Sequence, residues 1–400
     1  MPTLFIPKEL RAGENRVAAS PATVKKLVSL GFTIEVEAGA SAASFISDEA
    51  LTKAGAKIVS DKAAALSSCD LLVKINVPEA EEIQGMKEGA TLVSFLWPME
   101  NQEIVKQLVE KKISAFAMDA IPRITRAQKD DARSSQDNLA GYKAVLLAAA
   151  KLPKIFPMLM TAAGTIRPAK VVIIGAGVAG LQAIATAKRL GAIVEVSDVR
   201  PEVKEQVQSL GAHYIEVEGA EGAGSGGYAK ELSEEAKAKQ AAVLHKHLIE
   251  ADVIITTALI PYRPAPKLVS EQVVKEMRDG SVIVDLAAER GGNCELTVPG
   301  KEATRHGVTI FGAVNLTTTM PLNASELYAK NVENILADAT HKEHGFRWDF
   351  EDEIVAGSMI THQGEVRHGP TREALGLGPL EKPSENEGDD DSKPAEDKGE

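Results

Sequence analysis

Three glycines and one aspartate carry the most specific chemistry in this chain. Gly175, Gly177 and Gly180 follow the β-branched apolar run 171–174 as GxGxxG, and Asp198 closes a second apolar run at 193–196. The apolar runs read as buried parallel strands. Between them, the first glycine lets the chain turn tightly, the second lets a pyrophosphate approach the backbone, and the third packs helix against strand. The helix starts near Val178. Its first N–H groups lack partners and its dipole is positive at that end, so a diphosphate is stabilised there. Asp198 lies about 20 residues beyond the glycines, where a carboxylate accepts bonds from an adenosine ribose and repels a 2′-phosphate. The unit reads as an NAD(H) site in preference to an NADP(H) site, although Arg200, two positions on, could take a 2′-phosphate. A second GxGxxG match at Gly222, Gly224 and Gly227 has no apolar strand before it and reads as a flexible loop.

A second group of chemically capable residues lies at 122–138, PRITRAQKDDARSSQDN. Arg123, Arg126, Gln128, Asp131, Arg133, Ser134 and Gln136 offer donors and acceptors at close spacing, enough to fix a carboxamide and a ribose. A solvated linker ending in a helix cap, with Ser134 or Ser135 as the N-cap, accounts for the same residues. Both readings stand on the residues alone.

These groups need elements to position them. Four hundred residues with 44% hydrophobic content suffice for two domains of ordinary size. Ahead of the glycine unit, apolar strands at 4–6, 33–36, 71–75, 91–95 and 113–118 alternate with helical patterns, one beginning after Ser20-Pro21 and running to about Leu30. Such alternation predicts a second parallel α/β sheet. A helix over 136–151 carries the chain into the nucleotide domain, strands follow at 253–255 and 282–286, and a helix over 321–337 returns it to the first domain. The predicted architecture is two Rossmann-like, doubly wound parallel-sheet domains flanking a cleft. Residues 1–135 plus 325–378 form the first, 136–324 the nucleotide-binding domain, and 379–400 an acidic tail.

Half of the net charge of −12 sits in that tail, where residues 381–400 hold nine acidic side chains against three lysines. With no apolar side chain larger than proline it is expected to be disordered. No run of about 18 apolar residues occurs, so the chain is not expected to cross a membrane by itself. Cys69 and Cys294 are isolated, which predicts a reducing compartment and no metal site.

The opening stretch IPKELRAGENRVAASPATVKKL resembles the signature shared by alanine dehydrogenases and the NAD(H)-binding domain of proton-translocating NAD(P) transhydrogenases. Alanine dehydrogenases carry a catalytic lysine in VKVKEP and a histidine in FLH. Here the stretches read VKINVP and SFLWP, with Asn76 and Trp97 at those positions, and neither side chain can serve as a general base. The transhydrogenase pattern, in contrast, is met to about Gly378.

That resemblance implies a loop folding over the nicotinamide, with Arg123, Gln128, Asp131 and Ser134 at its named positions and Ile124, Thr125, Arg126 and Arg133 beside them. It implies Gly175, Gly177, Val178, Ala179 and Gly180 around the diphosphate, and Asp198, Val199 and Arg200 toward the adenosine. AGSGGYAKELSEEAKAKQ is similar to the family's mobile loop and implies Gly227, Tyr228 and Gln240 near the cofactor. TTALIPYRPAP implies Ala258 and Leu259 at its floor.

The expected protein is a separate α1-type subunit, a homodimer on the cytoplasmic face of a bacterial inner membrane. Its expected partners are a small membrane subunit and a β subunit that binds NADP(H). The implied reaction is direct hydride transfer between NADH and NADP⁺ on that partner, coupled to proton translocation, with Gln128, Arg123, Asp131 and Ser134 positioning the nicotinamide. The alternatives are an amino-acid dehydrogenase, disfavoured by Asn76 and Trp97, and an NAD(H)-binding module without chemistry.

Overall fold

Short β-branched and apolar runs pair in parallel to build two sheets, each buried on both faces. A computed structural model describes residues 1–216, 234–260, 263–341 and 343–380. Across the first sheet the strands run Lys57–Val59, Thr33–Glu37, Thr3–Ile6, Leu71–Val73, Thr91–Ser94 and Ser114–Ala117. In chain order that is 3-2-1-4-5-6, all parallel. The antiparallel strands Met359–His362 and Glu365–Val366 extend the far edge. Alternate residues face opposite ways, so Leu4, Ile6, Val73, Val93 and Phe116 fill one core layer and Phe5, Leu72, Leu92 and Ala115 the other.

The second sheet repeats this order: His213–Tyr214, Ile193–Ser197, Lys170–Ile174, Val253–Thr256, Val282–Asp285 and Val308–Gly312 are parallel. Glu302–Arg305 closes the edge antiparallel. The predicted class, two Rossmann-like parallel-sheet units, is the one observed. Sequence reading passed over Glu302–Arg305, Val308–Gly312 and the C-terminal edge pair. Edge strands pair on one side only and include polar residues, so their hydrophobic signal is weak.

Two long helices, Ala132–Lys151 and Pro321–Asp338, run between the sheets. Gln136, almost fully buried, ties them together: its Nε2 donates to Ala324 O at 3.0 Å and its Oε1 accepts from Arg16 Nη1 at 2.9 Å. Ser135 Oγ donates to Asn331 Oδ1 at 2.8 Å. Both cysteines are fully buried, Cys69 in the first unit and Cys294 in the second. Among the described residues no helix is long and apolar enough to cross a membrane. The acidic stretch from residue 381 lies outside the described residues.

Candidate functional site

The strand Lys170–Ile174 lies at the point where the strand order of the second sheet reverses, with Ile193–Ser197 on one side and Val253–Thr256 on the other. Ligands of open α/β sheets bind at such switch points. Each glycine just beyond this strand has its own steric reason. Gly175 has φ +98°, and a Cβ there would meet Thr257 Oγ1 at 2.5 Å. That hydroxyl donates to Gly175 O at 3.0 Å, which fixes the turn against the neighbouring strand. At Gly180 a Cβ would lie 1.9 Å from Gly175 O, so the helix Val178–Arg189 packs on its strand only with glycine there. Gly177 differs, because a Cβ added to it meets nothing within 4 Å. The space that the protein leaves open is on the face where a diphosphate would approach the unpaired N–H groups of Val178, Ala179 and Gly180. The residues therefore fit a dinucleotide.

Asp198 is drawn into the same turn. One of its oxygens accepts from Ala176 N at 2.7 Å and Arg200 Nη2 at 2.8 Å, and the other accepts from Arg200 N and Nε, each at 2.9 Å. Arg200 is thus folded back onto Asp198, with Val199 half-buried between them. The Tyr214 hydroxyl donates to Asp198 O. Ala258 is clamped by Asn293, whose Oδ1 accepts from Ala258 N at 3.1 Å and whose Nδ2 donates to Ala258 O at 2.8 Å, while the Leu259 side chain stays exposed.

Asn293 and Asp285 are parts of this end of the sheet that sequence reading missed. Fully buried Asp285 accepts from Thr256 Oγ1, Ala287 N, Cys294 N and Thr297 Oγ1. A signal was available, since Asp285 ends an apolar strand just as Asp198 follows one.

The polar stretch is both a folded loop and a helix start. Thr125–Lys129 form a 3-10 turn, leaving Arg123, Thr125 and Gln128 exposed and Ile124 half-buried. Among the described residues the Gln128 side chain has no hydrogen-bond partner. The helix begins at Ala132, four residues before the predicted start, and its cap is Asp131, not Ser134 or Ser135. Asp131 Oδ1 accepts from Ser134 N at 2.9 Å while the Ser134 hydroxyl donates to the other oxygen, which satisfies one of the helix's free N–H groups. The acid therefore fixes Ser134, where the prediction set it to hold Arg123 or the loop. Arg126 is also placed differently from expectation: its guanidinium forks onto Asp352 with two 2.7 Å bonds, and each group favours the charged form of the other. Arg133 points instead to the indole of Trp97, its Cζ 5.2 Å from the ring centroid.

Trp97 marks where the carboxyl ends of the two sheets meet. It follows the first-sheet strand Thr91–Ser94 and adopts φ +46°. Asp119 holds that strained backbone, accepting from Leu96 N at 2.6 Å and Trp97 N at 3.0 Å. From the second sheet Arg290 reaches across, with its Cζ 5.9 Å from the same indole and Nη1 2.5 Å from Glu100 Oε1. Asn76 Nδ2 donates to Glu9 Oε2 and Glu14 Oε2, both at 3.0 Å. Burial raises the Glu9 carboxyl above its ordinary value, opposed by Lys74. Burial pushes Glu14 the same way, but Arg16 and Asn76 hold it below. Lys74, fully buried, is turned to Glu82. This wall can orient a ligand, and it presents no lysine or histidine base to one.

The loop and the glycine turn meet through one contact. A Cβ on Gly141 would lie 2.0 Å from Ala179 O, so the helix that Asp131 caps lies directly on the first turn of the helix after the glycines. Seven residues of helix, about 10 Å, separate Ser134 from that contact. Gly227 and Tyr228 lie outside the described residues. Gln240 falls in the helix Glu234–Ile249, and its side chain also lies outside them.

The profile of the alanine dehydrogenase/PNT N-terminal domain matches residues 5–140, and that of the C-terminal domain matches residues 144–369. The first of the two pieces of the NAD(P) transhydrogenase alpha subunit of Rhodospirillum rubrum is 50% identical over 376 residues, which cover 91% of this chain and 97% of that one. The crystal structure of a transhydrogenase from Sinorhizobium meliloti superposes with a TM-score of 0.83 at 46% identity, covering 91% of this chain and 99% of that one. An L-alanine dehydrogenase structure superposes less well, with a TM-score of 0.76 at 26% identity over 94% of this chain and 99% of that one. With both domain profiles matched and half of its residues shared with a transhydrogenase alpha subunit, the chain belongs to the alanine dehydrogenase/PNT family, on the side of the NAD(P) transhydrogenase alpha subunits.

Proposed function

We propose that this chain is the NAD(H)-binding subunit of a proton-translocating NAD(P) transhydrogenase, passing hydride between NADH and NADP⁺ held by a partner subunit. The observation that carries the reading is the open face of Gly177 between two sterically obligatory glycines at the sheet's switch point. When bound, the dihydronicotinamide supplies the hydride. The chain's own residues bind, orient and exclude water, which matches a cleft wall whose polar groups are amides, guanidiniums and paired carboxylates. Asp131 fixes Ser134, which retains lone pairs for a carboxamide N–H. Gln128 and Arg123 project from the adjoining turn, where they can meet the ring and its ribose. The division of labour follows the crossing helices, with residues 136–324 binding the dinucleotide and residues 1–135 plus 325–378 supplying the loop.

A homodimer completes the proposal. The hairpin Leu159–Thr161 and Gly164–Ile166 stands exposed along its whole length, with Met158, Leu159, Met160 and Ile166 in solvent. An isolated two-stranded hairpin is marginal in water, and a second copy packing on this one gives the apolar side chains cover. The remaining partners are a membrane subunit and an NADP(H)-binding subunit, which would place the chain peripherally on the cytoplasmic face of the inner membrane.

The test is single-turnover transfer. Mixed with an NADPH-loaded NADP(H)-binding domain, the protein should reduce an NAD analogue, and binding without transfer would favour a module that carries no chemistry. In Gln128→Asn the amide is retained but its reach shortens by one methylene. NADH dissociation should change little while transfer slows by about a hundredfold, the effect of misplacing a reacting ring by about 1 Å. An unchanged rate removes Gln128 from the mechanism.

A further inference from the structure

Directly beneath the loop lies a small cavity of about 80 Å³ whose wall is rich in carboxylates. It is lined by Asp130 from the loop, Asp338 from the end of the helix Pro321–Asp338, His341, and Asp349 and Asp352 from the segment before the helix Glu353–Ser358. Asp130 is 1% exposed, and neither of its carboxylate oxygens has a hydrogen-bond partner. The buried Nε2 of His341 is likewise unpartnered. Buried polar groups are rarely left so, and a buried charge without a partner costs far more than a neutral carboxyl. The nearby cations are otherwise engaged, Lys129 with Asp338 and Arg126 with Asp352. Among the described residues no three carboxylate or imidazole groups converge closely enough to hold a metal ion. A proton is the simplest ligand that removes the charge, and the cavity has room for the water that would deliver it.

We propose that Asp130 is a proton-binding site whose occupancy sets how tightly residues 123–134 dock on the first domain. The docked loop is held by Asn331 and Asn334, both donating to Lys129 O at 2.8 Å, by the two ion pairs, and by the buried side chains of Ala127 and Asp130. Of these anchors only Asp130 becomes unfavourable when it ionises. Burial, with Asp338 and Asp352 adding to it and Lys129 and Arg126 opposing it, pushes its carboxyl up from 3.8 to about 6. Below the ordinary carboxylate value Asp130 is protonated whether docked or released, and docking is at its strongest. As pH rises toward 6, release ionises the group and docking weakens, by about a hundredfold in the docked-to-released ratio for a two-unit shift. Its extension to coenzyme handling rests on the proposed role of the loop over the nicotinamide.

Carboxyl NMR of the full chain with labelled aspartate, assigned by its difference from Asp130→Asn, should show one aspartate titrating near pH 6. Hydrogen exchange over 123–134, corrected for the intrinsic rate, should lose protection with rising pH in the wild type and stay level in Asp130→Asn. A titration near 4, or wild-type protection that follows Asp130→Asn throughout, overturns the proposal. If Asp130→Asn does not fold, Asp338→Asn serves instead. It removes a neighbouring charge and frees Lys129, so the midpoint and the loss of protection should move together to lower pH, and a protection profile that stays put overturns the proposal. NADH affinity measured over the same range tests the loop separately. Affinity that does not vary while protection follows Asp130 leaves the proton site standing and removes the loop from the coenzyme.

Discussion

Gly177 separates ligand from fold at the level of one residue. Its backbone is extended with φ −74°, which any residue adopts, and a methyl there touches no protein atom. Gly177→Ala should therefore leave the melting temperature nearly unchanged while NADH affinity falls at least about tenfold, the equivalent of about 1.4 kcal/mol. Gly180→Ala should do the reverse first, destabilising the protein by about 1–3 kcal/mol because its methyl has nowhere to go beside Gly175 O. Calorimetry and NADH titration on the two variants check the pair, and a Gly177→Ala protein that binds as tightly as wild type would remove the diphosphate from this turn. The glycine unit was legible in sequence because everything that shapes it lies within about 30 residues. The partners of the loop were not. Arg126 finds Asp352 and Lys129 finds Asp338 more than 200 residues away, and the adjacent Asp130 and Asp131 look alike in sequence although one is buried without a partner and the other caps a helix.

Among the elements, the pairing of Ala132–Lys151 with Val178–Arg189 matters most. Gly141 lets the two backbones approach to the distance at which loop and glycine turn share one rigid support. Gly141→Ala should cost about 1–3 kcal/mol of stability and also weaken NADH binding, although residue 141 touches no ligand, since the helices must part to admit the methyl. Thermal unfolding together with NADH titration checks this, and lost stability with intact binding would show that the support is not shared. Sequence reading placed the helix but began it at 136. The polar residues 132–135 have no apolar period, and only the three-dimensional bond from Asp131 to Ser134 reveals where the first turn closes.

At the scale of the whole molecule, two sheets of the same strand order face one another, and Arg290 bridges them at Trp97 and Glu100. Duplicated architecture was legible from the alternation of strands and helices, whereas the bridge was not, because its members come from different sheets. The exposed hairpin is the feature that most affects assembly. Met160→Asp, at a side chain 72% exposed in the single chain, should shift the protein from dimer to monomer in sedimentation while NADH binding persists. A dimer that withstands this change would place the interface elsewhere.

The burial of both thiols has a practical consequence. Cys69 is fully enclosed and its pKa is pushed up to about 11, and Cys294 is enclosed and raised as well, chiefly by desolvation in each case. Only a thiolate that solvent can reach reacts quickly with a maleimide. In the folded state the native chain is thus chemically silent toward such reagents. A single cysteine introduced on each sheet can carry a spectroscopic label without first removing the natural ones, so the opening and closing of the cleft can be followed as a distance in otherwise unaltered protein.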